Sequence, residues 1–163
     1  MILTGVDPGN TCGVAVFDVH NGVVRDGANE HISEVIARPL HNVVIERMTP
    51  RVTVGRDMLA GAEMFGAVVA SAGGHVYALY RQQVCAILTG SARAKKPAVK
   101  EAVLSILGDK PKKGASATRW TDLGARAITG HAWDALALCV AFYASNETER
   151  ASFRFRPEQW SIT

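Results

Sequence analysis

Residues 2–18 read ILTGVDPGNTCGVAVFD, and this stretch decides the fold. Residues 2–6 are short and mostly apolar. Asp7-Pro8-Gly9-Asn10 then places proline second and glycine third in a tight turn. A second apolar run, 13–17, ends at Asp18, and His20-Asn21-Gly22 turns the chain into Val23-Val24. The pattern predicts a β-meander. It leaves Asp7 where the first strand leaves the sheet. Aspartate is a common first residue of a turn, so this position alone does not separate a turn-former from a reactive carboxylate.

Beyond the meander, Val43-Val44-Ile45 is bounded by polar residues and suits a strand buried on both faces in a parallel sheet. Glu46 follows at once. Residues 55–72 place Met58, Leu59, Ala62, Phe65, Val69 and Ala70 at helical spacing and stop at Gly73-Gly74. Residues 75–81 read as a strand and 82–88 as a short helix. Pro97 opens a helix with Val99, Val103, Ile106 and Leu107 on one face, ending at Gly108. Residues 109–119, DKPKKGASATR, are expected to form a mobile basic loop, and 120–130 carry no clear periodicity. Residues 131–144 form a last helix with Leu136, Cys139, Val140 and Tyr143 on one stripe. In the polar tail, Phe153-Arg154-Phe155-Arg156 suits an edge strand or an arm. The order of elements predicts one α/β domain with a mixed sheet over residues 1–145, followed by a polar C-terminal tail, 146–163.

Composition narrows the class. With 163 residues, 48% of them hydrophobic and 20% charged, the chain can bury a real core. No N-terminal signal peptide is apparent, and the longest nearly apolar stretch, 132–144, is too short to span a bilayer. Cys12, Cys85 and Cys139 form no CxxC pair, which argues against structural zinc and disulfides and fits a reducing cytoplasm. Net charge is +3, but the segment from Ser91 to Arg119 carries eight cations against Glu101 and Asp109, a net +6. The rest of the chain is therefore −3. A cationic patch on an otherwise acidic chain points to a polyanionic partner, most often nucleic acid.

Three acids share a peculiar placement. Asp7 ends the first strand and Glu46 the buried one, while Asp134 lies in the first turn of the last helix, where the dipole favours negative charge. His131 stands three residues earlier, on the same helix face. Neighbouring strands can bring Asp7 and Glu46 side by side, with the helix supplying Asp134 from above. Clustered carboxylates repel, and a divalent cation is their simplest stabilisation. Oxygen donors select Mg²⁺ or Mn²⁺. Two such ions roughly 4 Å apart suit phosphodiester cleavage.

These residues resemble the RuvC-type Holliday-junction resolvases, and more broadly the ribonuclease H-like superfamily. The matching pieces are GVDPG (5–9) followed by CGVAVFD, VVIERM (43–48), 55–74, YRQQV (80–84), 89–108 and HAWDALALCVAF (131–142), in family order. The resemblance implies a mixed five-stranded sheet with helices on both faces. It places Asp7, Glu46, His131 and Asp134 at the four metal-site positions, with Mg²⁺ as cofactor and Mn²⁺ as substitute. It further implies paired nicks in branched DNA by a homodimer, since one site cannot cut two strands symmetrically. Candidate DNA contacts are Arg51, Arg81, Arg93, Lys95, Lys96, Lys100, Lys110, Lys112, Lys113 and Arg119. No membrane and no nucleotide cofactor are expected.

Departures are visible. Only 38 residues separate Asp7 from Glu46, so the helix that cellular members carry before the second acidic strand is shortened or lost. RMTPRVTVG, 47–55, lacks their aromatic wedge. Both features resemble the compact phage-type branch, whose substrates include other branched DNA. Three rivals stay open: an actin- or sugar-kinase-like phosphate loop at Asp7-x-Gly9, a ribonuclease H-like nuclease acting on structured RNA, and a non-catalytic DNA-branch binding module. A kinase of that group needs two such domains, and 163 residues supply one. A relic site has no reason to keep buried charges together.

Overall fold

The structure, a computed structural model, describes residues 1–48, 55–108 and 128–156. Three strands open the chain, β1 (Ile2–Asp7), β2 (Thr11–Asp18) and β3 (Val23–His31), forming the expected antiparallel meander. They are followed by α1 (Ile32–Ala37), β4 (Asn42–Arg47), α2 (Arg56–Ser71) and β5 (Val76–Tyr80). The remaining elements are α3 (Arg81–Thr89), α4 (Lys96–Leu107), α5 (Ala132–Ala144) and α6 (Glu147–Phe153). The sheet runs β3-β2-β1-β4-β5, with β1, β4 and β5 mutually parallel. It is the mixed five-stranded sheet expected.

Strand periodicity sorts side chains onto two faces. Leu3, Ala15, Phe17, Val44 and Leu79 join one buried cluster with residues of α3, α4 and α5. Val6, Cys12, Val14, Val43 and Ile45 join a second with Val35 of α1 and Phe65 and Val68 of α2. Helices therefore cover both faces, and Val43, Val44 and Ile45 are fully buried, as a central parallel strand requires.

Several elements differ from the sequence reading, but the helix before β4 is short, as expected: it is the six residues of α1. His31 caps it by accepting from the Ser33 N–H, while Glu34 accepts from the His31 N–H at 3.1 Å. The apolar stripe of α2 is rotated. Its buried side is Gly61, Phe65 and Val68, whereas Leu59, Ala62, Gly66 and Ala70 face outward. Helix α5 is not amphipathic, since Asp134 through Phe142 are all buried. It is the central helix of its layer and lies across β1 and β2. The start of the tail is helical: Asn146 and Glu149 form a capping box over α6, with reciprocal bonds of 2.9 Å. Among the described residues, edge pairing of the tail is a single bridge between Arg154 and Tyr77. Phe153 is buried in the first cluster and Phe155 packs on Phe65.

Candidate functional site

Register brings the acids together. Val6 pairs with Ile45 in the parallel β1–β4 ladder, so Asp7 and Glu46 come one residue further along neighbouring strands. Period two aims both toward the α5 face, the side of Leu3 and Val44. The next parallel strand ends at Tyr80, and Arg81 follows as the first residue of α3. Three adjacent strand ends thus deliver Asp7, Glu46 and Arg81 to the carboxyl edge of the sheet, where open α/β sheets hold their ligands.

Helix α5 closes over this edge because two glycines let it. A Cβ at Gly13 would collide with the His131 carbonyl and the Ala132 nitrogen, and one at Gly5 with the Ala135 carbonyl and the Cys139 thiol. Asn29 fixes the entry of the helix. Its Oδ1 accepts from the Ala132 N–H at 3.1 Å, and its Nδ2 donates to the Thr129 carbonyl at 3.0 Å. His131 occupies the position just before the helix, and the Asp134 N–H donates to its carbonyl at 2.9 Å.

The result is a compact donor set. One atom each from Asp7, His131 and Asp134 lie within 4.8 Å of one another. The Nδ1 of His131 is 3.0 Å from Asp7 Oδ2. Glu46 stands outside that trio and shares with Asp7 a cavity of about 290 Å³, lined also by Pro8, Asn10, Met48 and Met64. Arg81 links the two halves: its Nη1 donates to Asp134 Oδ1 at 2.8 Å and lies 4.0 Å from Glu46 Oε2. Lys96 reaches in from solvent to the other oxygen of Asp134, at 2.7 Å.

Electrostatics separate the three carboxyls. Burial pushes Glu46 up to about 7, with the Asp7 charge adding to the effect and Arg81 only partly opposing it. Burial also raises Asp7 above its ordinary value, despite the His131 hydrogen bond, and the Asp134 charge adds to the rise. Burial acts on Asp134 in the same sense, but Lys96 and Arg81 outweigh it and hold this carboxyl below its usual value. Two acids are therefore poorly neutralised by the protein's own cations. The donor set of two or three carboxylates and one imidazole fits a hard divalent ion, which would supply the missing positive charge.

Comparison with known proteins follows the same lines. No protein-family model matches the chain, and no curated protein sequence matches it. Among solved structures, free Thermus thermophilus RuvC superposes with a TM-score of 0.62 at 20% identity, covering 94% of this chain and 98% of that one. T. thermophilus RuvC in complex with a Holliday junction substrate superposes with a TM-score of 0.69 at 24% identity, with the same coverage. The chain has the RuvC fold. That fold belongs to the ribonuclease H-like class expected from the sequence.

Within this RuvC fold the candidate DNA contacts divide by position. Arg93 and Lys95 are exposed just before α4. Arg81 and Lys96 are both engaged on Asp134, Arg81 from within the carboxylate cluster and Lys96 from its exposed rim. Lys100 lies over the ring of Trp133, 4.6 Å from its centroid. Arg51, Lys110, Lys112, Lys113 and Arg119 lie outside the described residues, as does the basic loop 109–119. Sequence reasoning missed Asn29, Gly5 and Gly13 as positioning residues. Asn29 acts on a helix about a hundred residues away, and only the tertiary fold reveals it.

Proposed function

We propose that this protein is a divalent-metal-dependent, structure-specific endonuclease that cuts four-way junctions and other branched DNA. The observation that carries the reading is the convergence of Asp7, His131 and Asp134 within 4.8 Å, with Glu46 on the same sheet edge. The RuvC fold, and the Holliday junction substrate named with one matched RuvC structure, support the choice of DNA substrate. No helix among the described residues is long and apolar enough to cross a membrane.

Asp7, Asp134 and His131 would hold the ion, with Glu46 joining from β4. When bound, Mg²⁺ or Mn²⁺ supplies Lewis-acid polarisation and charge neutralisation at a phosphodiester. The chain's own residues do the rest. Arg81 and Lys96 hold Asp134 ionised and set positive charge where a phosphate arrives. The imidazole of His131 offers a lone pair or a proton beside Asp7. Arg93 and Lys95 extend the cationic track along the start of α4.

Two sites are needed to nick both strands, and the outward face of α2 supports a homodimer. Leu59 is 56% exposed there and continues with Ala62, Gly66 and Ala70 along one side.

The test is cleavage of synthetic junction, flap, splayed-arm and duplex DNA. Mg²⁺ should support nicks leaving ligatable 5′-phosphate ends on branched substrates, and EDTA should abolish them. Cleavage of duplex alone, or none in Mg²⁺ or Mn²⁺, refutes the reading. A concentration-independent monomer in sedimentation that still makes paired nicks refutes the dimer. At His131, aspartate should keep measurable cleavage and alanine should lose most of it. Near-wild-type cleavage by His131→Ala would reduce the site to its carboxylates.

A further inference from the structure

A second cavity, of about 300 Å³, opens beside Asp134 between α4 and α5. Val99, Val103, Ala137 and Asp134 are its buried residues, and Trp133 lines it from the first turn of α5. Lys96 and Lys100 are its exposed charged members, beside Pro97 and Gly130. Its lining is mainly apolar, and its volume is at the small end of ligand sites. It suits one flat aromatic group and is too small for a base pair. Two lysines at the mouth match a group attached to phosphate.

We propose that this cavity takes one unstacked nucleobase of the substrate, packed against the indole of Trp133. The inference rests on the branched-DNA reading above and names how that site holds its strand. Trp133 and Asp134 line the same cavity, so a base held by one belongs to a nucleotide next to the phosphate held near the other. Branch points supply such bases already out of regular stacking, which lowers the work of extruding them. An aromatic wall with a cationic rim is how single-stranded nucleic acid is gripped without sequence readout. Lys100 lies over the indole face at 4.6 Å. Stacking of a base outweighs an exposed cation–π contact, so the base takes the ring face and Lys100 turns to the neighbouring phosphate.

A protein–DNA cycle tests this. Four-way junctions carry an abasic site at each position flanking the cleaved bond in turn. Affinity in Ca²⁺ and single-turnover cleavage in Mg²⁺ are measured for wild type, Trp133→Leu and Trp133→Phe, each checked by its melting curve. Trp133→Leu should weaken binding of the intact junction about ten-fold. Removing one particular base should weaken wild type similarly, and the two losses should not add. Trp133→Phe should regain most of the affinity on the intact junction and stay sensitive to the same base. This pair keeps the cycle informative if the leucine variant fails to fold. Additive losses at every position, or full affinity in Trp133→Leu, overturns the proposal. Wild type that cuts junctions without any such coupling sinks the cavity alone. Wild type that neither binds nor cuts them sinks the nuclease reading, and the cavity with it.

Discussion

The β1–β2 hairpin ends in an aspartate at each extremity, and the two could hardly be treated more differently. Asp18 closes β2 at one end of the sheet. Its carboxylate accepts from the Arg25 guanidinium at 2.8 Å, the Asn21 amide side chain at 2.7 Å and the His20 N–H at 3.1 Å. Arg25, followed by Asn21, holds its carboxyl well below the usual range. Asp7 closes β1 at the opposite end, beside Asp134 and the Glu46 strand end, and burial lifts its carboxyl instead. One aspartate is saturated with donors from its own turn and the strand that follows it. The other keeps company with acids brought from β4 and α5. The difference teaches that a strand-end aspartate declares its role through its partners: near neighbours in sequence satisfy Asp18, whereas Asp7 meets groups brought from β4 and α5.

The strongest way to break this comparison is to neutralise each aspartate in turn. Asp7→Asn, Glu46→Gln and Asp134→Asn should each lower junction cleavage by about 10²–10³-fold. Junction binding should persist, since losing negative charge near phosphate does not weaken attraction. Asp18→Asn should cut at the wild-type rate. Single-turnover kinetics beside gel-shift binding give the answer, and an Asp18 variant as inactive as the Asp7 variant would erase the distinction.

Next in size is the seat of α5. Gly13→Ala drives a methyl into the His131 carbonyl and the Ala132 nitrogen. Overpacking of this kind costs about 1–3 kcal/mol. Both the melting temperature and cleavage should fall, because the same backbone positions His131 and Asp134. Unchanged cleavage in Gly13→Ala would show that the helix has slack over the sheet.

The pH dependence of stability without divalent ions should differ in sign between the two ends. Glu46 has an unfolded value of 4.5 and a folded value of about 7. Its protonated form therefore contributes stability that is full below 4.5 and lost as pH rises through about 7, on the order of 1–3 kcal/mol. Glu46→Gln should raise the melting temperature at pH 8 and leave it nearly unchanged at pH 4.5. Asp18 works the other way. Its folded value lies below the ordinary 3.8, so its stabilisation is present above that pH and disappears as acid is added. This is the smallest effect, read as a shallower acid limb in Asp18→Asn. Thermal melts across pH 3–9 in EDTA distinguish the two slopes.

Much of this arrangement was legible in the chain because strand ends are marked locally. Apolar runs stopping at Asp7 and Glu46, and an acid in the first turn of an apolar helix, need no tertiary knowledge to be noticed. Other parts were hidden for physical reasons. Helix α2 is so rich in glycine and alanine that its inner and outer faces look equally apolar: of the expected stripe Phe65 is buried, but Leu59, Ala62 and Ala70 face outward, while Gly61 and Val68 face the core. Helix α1 is too short to show a period, and its cap is a histidine, outside the usual N-cap set. Arg81 and Lys96 read as nucleic-acid contacts from charge alone. That both reach one carboxylate depends on α3 and α4 meeting α5, which no spacing in the sequence reveals.

The segment after α6 has a bearing on how the protein behaves at high concentration. The sheet has two outer strands, β3 and β5, and an uncovered strand edge is a template for pairing with other chains. β3 carries Arg25, Asp26 and Glu30 and faces a register shift between Val16 and Phe17, features that discourage such pairing. β5, VYALY, has no charge of its own. Its edge is met instead by Arg154 bridging Tyr77, and by the Phe155 N–H donating to the Val76 carbonyl at 2.8 Å. Cutting the chain after Ser145 would bare that edge together with the Phe65 face. The shortened protein should precipitate or form strand-paired oligomers even though every carboxylate of the site is still present.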